Sequence, residues 1–200
     1  MSKVENNKKI KKEALLNTAF DLFTSKGIND TSISDIVNKA GVAKGTFYLY
    51  FRDKYDIRNL LISHKSSQLF MAAHTAMLEQ NFSTMEDKIV FVINHIVDNL
   101  ANDKILLNFI SKNLSWGFFK KALISNENSS DVNFLEIYKT LIKESPSEIK
   151  DPELMLFMII ELVSSTCYST ILYEEPVSLQ ELRPYLEQAI RNIIHAHLQA

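Results

Sequence analysis

Apolar side chains recur at intervals of three and four residues along most of this chain, a spacing that predicts α-helices almost from end to end. From Lys8 to Lys26, the residues Leu15, Ala19, Leu22 and Phe23 fall at i, i+4, i+7 and i+8, one stripe of an amphipathic helix. Gly27 follows as its stop. Thr31 and Ser32 then offer hydroxyl caps, and Asp35 stands where the acid of a capping box belongs. The short helix they open turns Ile33, Ile36, Val37 and Ala40 inward. Gly41 suits a sharp turn because it tolerates positive φ. A third short helix is predicted from about Ala43 to Phe51, and Asp53 can cap a long fourth one bearing Ile57, Leu60, Leu61, Leu69 and Phe70.

Beyond residue 80 the helical period continues. Ser83 or Thr84 opens a helix through Ile89, Val92, Ile93, Ile96 and Leu100, and a shorter one covers Ile105 to Leu114. Asn126 to Asp131 is polar and reads as a loop. Ser145-Pro146 and Asp151-Pro152 bracket a connection, Pro152 suiting the first turn of a helix that runs to about Tyr173. Ser178 caps the last helix, Leu182 to Leu198, with Pro184 tolerable in its first turns. The strongest apolar run, Leu154 to Val163, is broken by Glu161 and falls short of the ~20 residues of a membrane span. It reads as a buried helix, and no membrane partner is expected.

Only four glycines and four prolines serve a chain that is 46% hydrophobic and 23% charged. An all-β chain would need many more turns, so the fold class is all-α. The net charge of −2 hides an asymmetry: residues 1–65 hold 12 Lys/Arg against 7 Asp/Glu, a surplus of five, leaving an excess of seven acids beyond. A basic front end on an acidic body suggests that the front end alone meets a polyanion. Cys167 is the sole cysteine, so no intrachain disulfide forms, and a cytoplasmic location fits. The lysine-rich start lacks the apolar core of a secretory signal. His64, His74, His95, His195 and His197 show no metal spacing, Cys167 has no evident activator, and no glycine loop cradles phosphate. Neither an enzyme nor a metal or other cofactor is expected.

Residues 32–51 place two short helices around Gly41, the geometry of a helix-turn-helix. On a helical wheel Phe47 and Phe51 fall together and face the core, while Gly45, Thr46, Tyr48 and Leu49 occupy the opposite arc, flanked by Lys44 and Tyr50. Such an arc suits the major groove: Thr46 and Leu49 for thymine methyls, tyrosine hydroxyls for phosphates or base edges. Gly45 lets a phosphate or base edge approach the backbone. The N–H groups near Thr31 and Ser32 form an expected anion site, and Lys44 and Lys54 add charge. Lys8, Lys9, Lys11 and Lys12 add diffuse attraction or are simply a wet face.

The run Thr31-Ser32-Ile33-Ser34-Asp35-Ile36, then Ala40-Gly41-Val42-Ala43-Lys44-Gly45-Thr46-Phe47-Tyr48-Leu49-Tyr50-Phe51 and Lys54, resembles the DNA-binding domain of the TetR family of bacterial repressors. The close match covers roughly residues 10–60. The resemblance implies an all-α homodimer of about nine helices: a three-helix DNA-binding domain, residues 1–53, and a helical ligand-binding and dimerisation domain, residues 54–200. It further implies a palindromic double-stranded operator as partner and a small-molecule effector that releases it, with the long helix from Lys54 to about Glu79 as lever. By position, Thr31 or Ser32, Lys44, Gly45, Thr46, Tyr48, Tyr50 and Lys54 match the family's DNA-contacting places. Ala43 stands where a serine is common, which removes one hydroxyl contact, and Val37 replaces a frequent alanine.

In the C-terminal body the candidates for a ligand site are His95, Phe109, Trp116, Tyr138, Met158 and Glu161, with Phe118 and Phe119 near Trp116; core packing is the competing role for the aromatic and methionine side chains. Glu161 must find a partner, reach solvent or stay protonated; it could read a cationic or hydrogen-bonding ligand or pair with a neighbouring helix. For the dimer interface the last two helices offer small Ser165 and Ser169 and an apolar stripe of Leu186, Ile190, Ile193 and Ile194, which a monomer could also bury internally. The rival to an effector-controlled repressor is a helical DNA-binding protein controlled by a protein partner, whose body would be filled.

Overall fold

The structure, a computed structural model, describes residues 3–111, 134–145 and 147–198. Among these, helices α1 (Lys3–Ser25), α2 (Ile33–Ala40), α3 (Lys44–Tyr48), α4 (Lys54–Leu78), α5 (Met85–Asn102), α6 (Lys104–Ser111), α7 (Phe134–Lys143), α8 (Pro152–Tyr173) and α9 (Leu179–Ala196) account for the architecture. The strand-like pairing described is one isolated bridge between Ile149 and Leu198. The fold is all-α, as the spacing predicts.

The chain divides into two compact units, Met1–His64 and Lys65–Ala200. This boundary lies eleven residues beyond the expected division at 53/54. The reason is burial: Ile57, Leu61 and Ile62, in the first turns of α4, are withdrawn from solvent within the first unit. That unit's other buried apolar residues are Leu15, Ala19 and Phe23 of α1, Ile36 and Val37 of α2, and Phe47 and Phe51. Helix α2 begins on a complete capping box. The Ser32 hydroxyl accepts from the Asp35 N–H at 3.1 Å, and the Ser32 N–H donates to the Asp35 carboxylate at 2.9 Å. Lys26 lies 2.9 Å from the same carboxylate. These contacts, the Ser32 N–H foremost, pull the Asp35 carboxyl from the usual 3.8 down to about 2. At the other end Gly41 sits at φ 68°, and the Val42 N–H donates to Val37 O at 3.0 Å. A side chain at Gly41 would strain this turn although space is open there.

In the second unit α8 packs most extensively on α9, which also lies on α5, while α6 contacts both α5 and α8. One apolar core joins Met85, Ile89 and Val97 of α5, Leu107 of α6, Met155, Ile159, Cys167 and Ile171 of α8, and Leu186, Ile190 and Ile194 of α9. The stripe expected at a dimer interface is therefore internal. Leu186, Ile190 and Ile194 are buried in their own chain's core and Ile193 packs against it, because α5 and α8 flank that face of α9. Polar links fix the α5–α9 pair: Arg183 donates to Asn94 at 2.8 Å and pairs with Asp98, and Arg191 pairs with Asp87 at 2.7 Å. Helix α8 is longer than the run apparent in the sequence, and by length and composition it could cross a membrane. Here its residues Met155, Leu156, Ile159, Cys167 and Ile171 are core.

Two outcomes follow from this packing. Ile190→Ala should lower the unfolding free energy by about 3 kcal/mol through the lost methylenes and the cavity they leave, read from urea titration; a loss below about 1 kcal/mol would place Ile190 outside the core. Because the Asp35 carboxyl is depressed in the fold, its stabilising effect is present above the unfolded value and is lost as pH falls toward about 2. The stability gap between wild type and Asp35→Asn should be full at pH 6 and close across that acid window; a gap independent of pH would remove the charge from the account.

Candidate nucleic-acid interface and cavity

Helix α3 spans only five residues, too few to persist on local hydrogen bonds. It is held from behind. Phe47 and Phe51 are buried with ring centroids 5.4 Å apart, and the Phe47 ring meets Tyr48 edge to face at 5.5 Å. The α-helix ends at Tyr48 rather than Phe51; Leu49 and Tyr50 follow in a tightened turn whose N–H groups donate to Thr46 O and Phe47 O at 3.3 and 3.0 Å. The opposite side is open. Tyr48 is 54% exposed and Leu49 78%, Lys44 is exposed, Thr46 is half-buried, and a side chain added at Gly45 would meet nothing within 4 Å.

Four expected contacts are placed differently. Thr31 is only 1% exposed, and its hydroxyl donates inward to Gly27 O at 2.7 Å. Ser32, the exposed cap, remains at the surface. Lys54 directs its ammonium onto three carbonyls of the α1–α2 connection, Ile28 at 2.7 Å, Asn29 at 3.0 Å and Thr31 at 3.1 Å. A cation at a helix start opposes the helix dipole, which calls for a compensating partner; the carbonyls of the α1–α2 connection supply one. Tyr50 is half-buried and its hydroxyl donates to Lys8 O at 3.1 Å, tying the end of α3 to α1. The anion site at the start of α2 is partly occupied, since the Ser32 and Asp35 N–H groups already serve the capping box. The roles of Lys54 and Tyr50 were not legible because each depends on a carbonyl distant in sequence.

The second unit contains a cavity of about 610 Å³. Its wall is mostly apolar: Leu69, Phe70 and Met77 of α4, Ile93 and Ile96 of α5, Leu107 and Ile110 of α6, Leu141 of α7, and Leu156 and Ile160 of α8. Of the expected ligand residues, Tyr138 and Glu161 line it. The Tyr138 hydroxyl donates to Pro152 O at 2.6 Å, and burial pushes its pKa up. Phe109 is buried but is no part of the wall, His95 lies beside Phe91 at 6.1 Å, and Met158 is exposed on another side of α8. These three fail as lining residues because helical spacing reports a face, not which neighbour meets it. Trp116, Phe118 and Phe119 lie outside the described residues. The wall adds His74, stacked on Phe70 at 6.1 Å and held below the usual imidazole range by burial, together with Cys167 and Tyr168. Burial raises the Cys167 thiol. Among the described residues no cluster of His, Cys, Asp or Glu is arranged for a metal ion.

Lys54→Met should cost the first unit about 1 kcal/mol by leaving two part-buried carbonyls, those of Ile28 and Thr31, without this donor, and it should leave the salt dependence of binding to duplex DNA unchanged. A salt slope shallower by about 0.9, with stability unaltered, would instead assign Lys54 to a phosphate.

Comparison with known proteins bears on this geometry. Residues 15–60 match the family model for bacterial regulatory proteins of the tetR family. The chain is 38% identical over 84 residues to the uncharacterized HTH-type transcriptional regulator YvdT of Bacillus subtilis, covering 40% of this chain and 42% of that protein. It is 32% identical over 89 residues to the fatty acid metabolism regulator protein of the same species, covering 44% and 45%. These alignments thus span less than half the length of either relative. Among solved structures, the regulator FadR of Bacillus subtilis in complex with stearoyl-CoA superimposes with a TM-score of 0.64 at 24% identity, over 92% of this chain and 99% of that one, a likeness of fold. Motif, relatives and fold agree: residues 15–60 are similar to the DNA-binding region of bacterial regulatory proteins of the tetR family, and the fold of the chain is like that of the FadR regulator.

Proposed function

We propose that this chain is a transcriptional repressor that binds a palindromic operator as a homodimer and is released when a small molecule occupies the cavity. The carrying observation is the two-sided α3, pinned by Phe47 and Phe51 while Tyr48 and Leu49 stand open to solvent. In the major groove Leu49 and the Thr46 methyl would touch thymine methyls, Tyr48 would reach a base edge or phosphate, and Lys44 would pair with phosphate. Gly45 leaves its backbone open to close approach. Ser32 completes the contact set; Thr31, Tyr50 and Lys54 support it from inside. The basic surplus of residues 1–65 supplies the general attraction.

One recognition helix reads few bases, so two copies are required. With the α9 stripe internal, the face available for a second copy is the exposed side of α8 with Leu154 and Met158, together with exposed Tyr185 of α9, while Ser165 and Ser169, expected at the interface, line the cavity. The cavity favours an effector over control by a protein partner, which would leave the body filled. FadR, bound to stearoyl-CoA in its own structure, supports a ligand role for this domain. Helix α4 bears Lys54 and Ile57 near its start and Phe70 and His74 in the cavity wall. Ligand binding would thus shift the population between conformers whose recognition helices fit and misfit successive major grooves, about 34–36 Å apart. Such a protein works in the cytoplasm and catalyses no reaction.

Selection of bound sequences from random duplex DNA should return an inverted repeat, and Tyr48→Ala should weaken binding to it about tenfold. Recovery of no inverted repeat, or an affinity indifferent to the substitution, would reject α3 as the reading element.

A further inference from the structure

Charge is distributed unevenly around the cavity. Its described wall contains no lysine and no arginine, and its one acidic side chain is Glu161. Glu161 is an exposed residue of α8 that lines the cavity, and its carboxylate makes no hydrogen bond or ion pair among the described residues. The ionisable nitrogen in the described wall belongs to His74, whose burial disfavours its charged form. Arg183 acts on the Cys167 thiol from beyond the wall, but its guanidinium is committed to Asn94 and Asp98. Phe70 and Tyr168 bring aromatic rings to the same space, and rings of this kind favour a cation over an anion.

We propose that the cavity selects lipophilic cations, an apolar body of drug size bearing one positive centre that lies against Glu161. This rests on the reading of the cavity as the effector site and specifies the chemical class of the effector. The apolar wall supplies affinity without preference for sign; the lone carboxylate and the rings supply the sign. An acyl-CoA, as held by FadR, carries phosphates that need cationic partners, and the described wall offers none.

A matched pair of hydrophobic ions tests this on the full-length protein. Tetraphenylphosphonium and tetraphenylborate carry the same four rings around opposite charges. Calorimetric titration should show the cation binding at least about tenfold more tightly, and Glu161→Gln should reduce that preference about fivefold, the scale of a solvent-screened ion pair, while operator affinity without ligand stays unchanged. Equal or tighter binding of tetraphenylborate, binding of neither ion, or a preference untouched by Glu161→Gln would overturn the cationic class. If tetraphenylborate or stearoyl-CoA binds and releases operator DNA, the effector reading stands and only the cationic class falls. An operator that no bound ion releases, with the cation still preferred, would retain the cation site and sink its regulatory role.

Discussion

A helix of five residues has no stability of its own, and everything exposed on α3 depends on what is buried beneath it. Phe47 and Phe51 are that anchor. Their burial fixes the rotation of the segment, and the rotation decides that Tyr48 and Leu49 face outward. Holding two large side chains in solvent has no benefit to folding; under the proposed function it is a cost the domain bears for recognition. On that reading, the rigid background would also limit the entropy lost on docking a duplex, since the surface is ordered beforehand.

The same logic explains why polar residues near the interface serve structure. The connection between α1 and α2 brings the carbonyls of Ile28, Asn29 and Thr31 within reach of one side chain. The Lys54 ammonium takes all three and the Thr31 hydroxyl takes Gly27 O. Backbone acceptors withdrawn from water and left alone would be expensive. These internal bonds position the start of α2, where Ser32 and Asp35 complete a reciprocal cap. Tyr50 adds a comparable tie from the end of α3 to α1.

In the second unit one helix meets three environments. Helix α8 gives one side to α9 and the core, a second to the cavity, and a third to solvent. By length and composition α8 passes for a membrane span as readily as for a core helix, even with Glu161 interrupting its apolar run. Flanking by α5, α6 and α9 resolves the ambiguity for the buried residues. The solvent-facing side with Leu154 and Met158 remains available for association.

Periodicity, caps and turn residues determined by themselves that the chain is helical, where most helices begin and end, and that residues 32–51 form a helix-turn-helix with Phe47 and Phe51 inward. Those are local signals, carried within a few residues. Only tertiary packing decided that α3 stops at Tyr48, that Thr31 and Lys54 turn inward, and that the Leu186–Ile190–Ile194 stripe belongs to the chain's own core. It also decided that Tyr138 and Glu161, but not Phe109 or Met158, line the cavity. The physical reason is the same throughout: sequence spacing orients a side chain about its own helix axis, whereas which carbonyl, helix or void it then meets depends on residues tens of positions away.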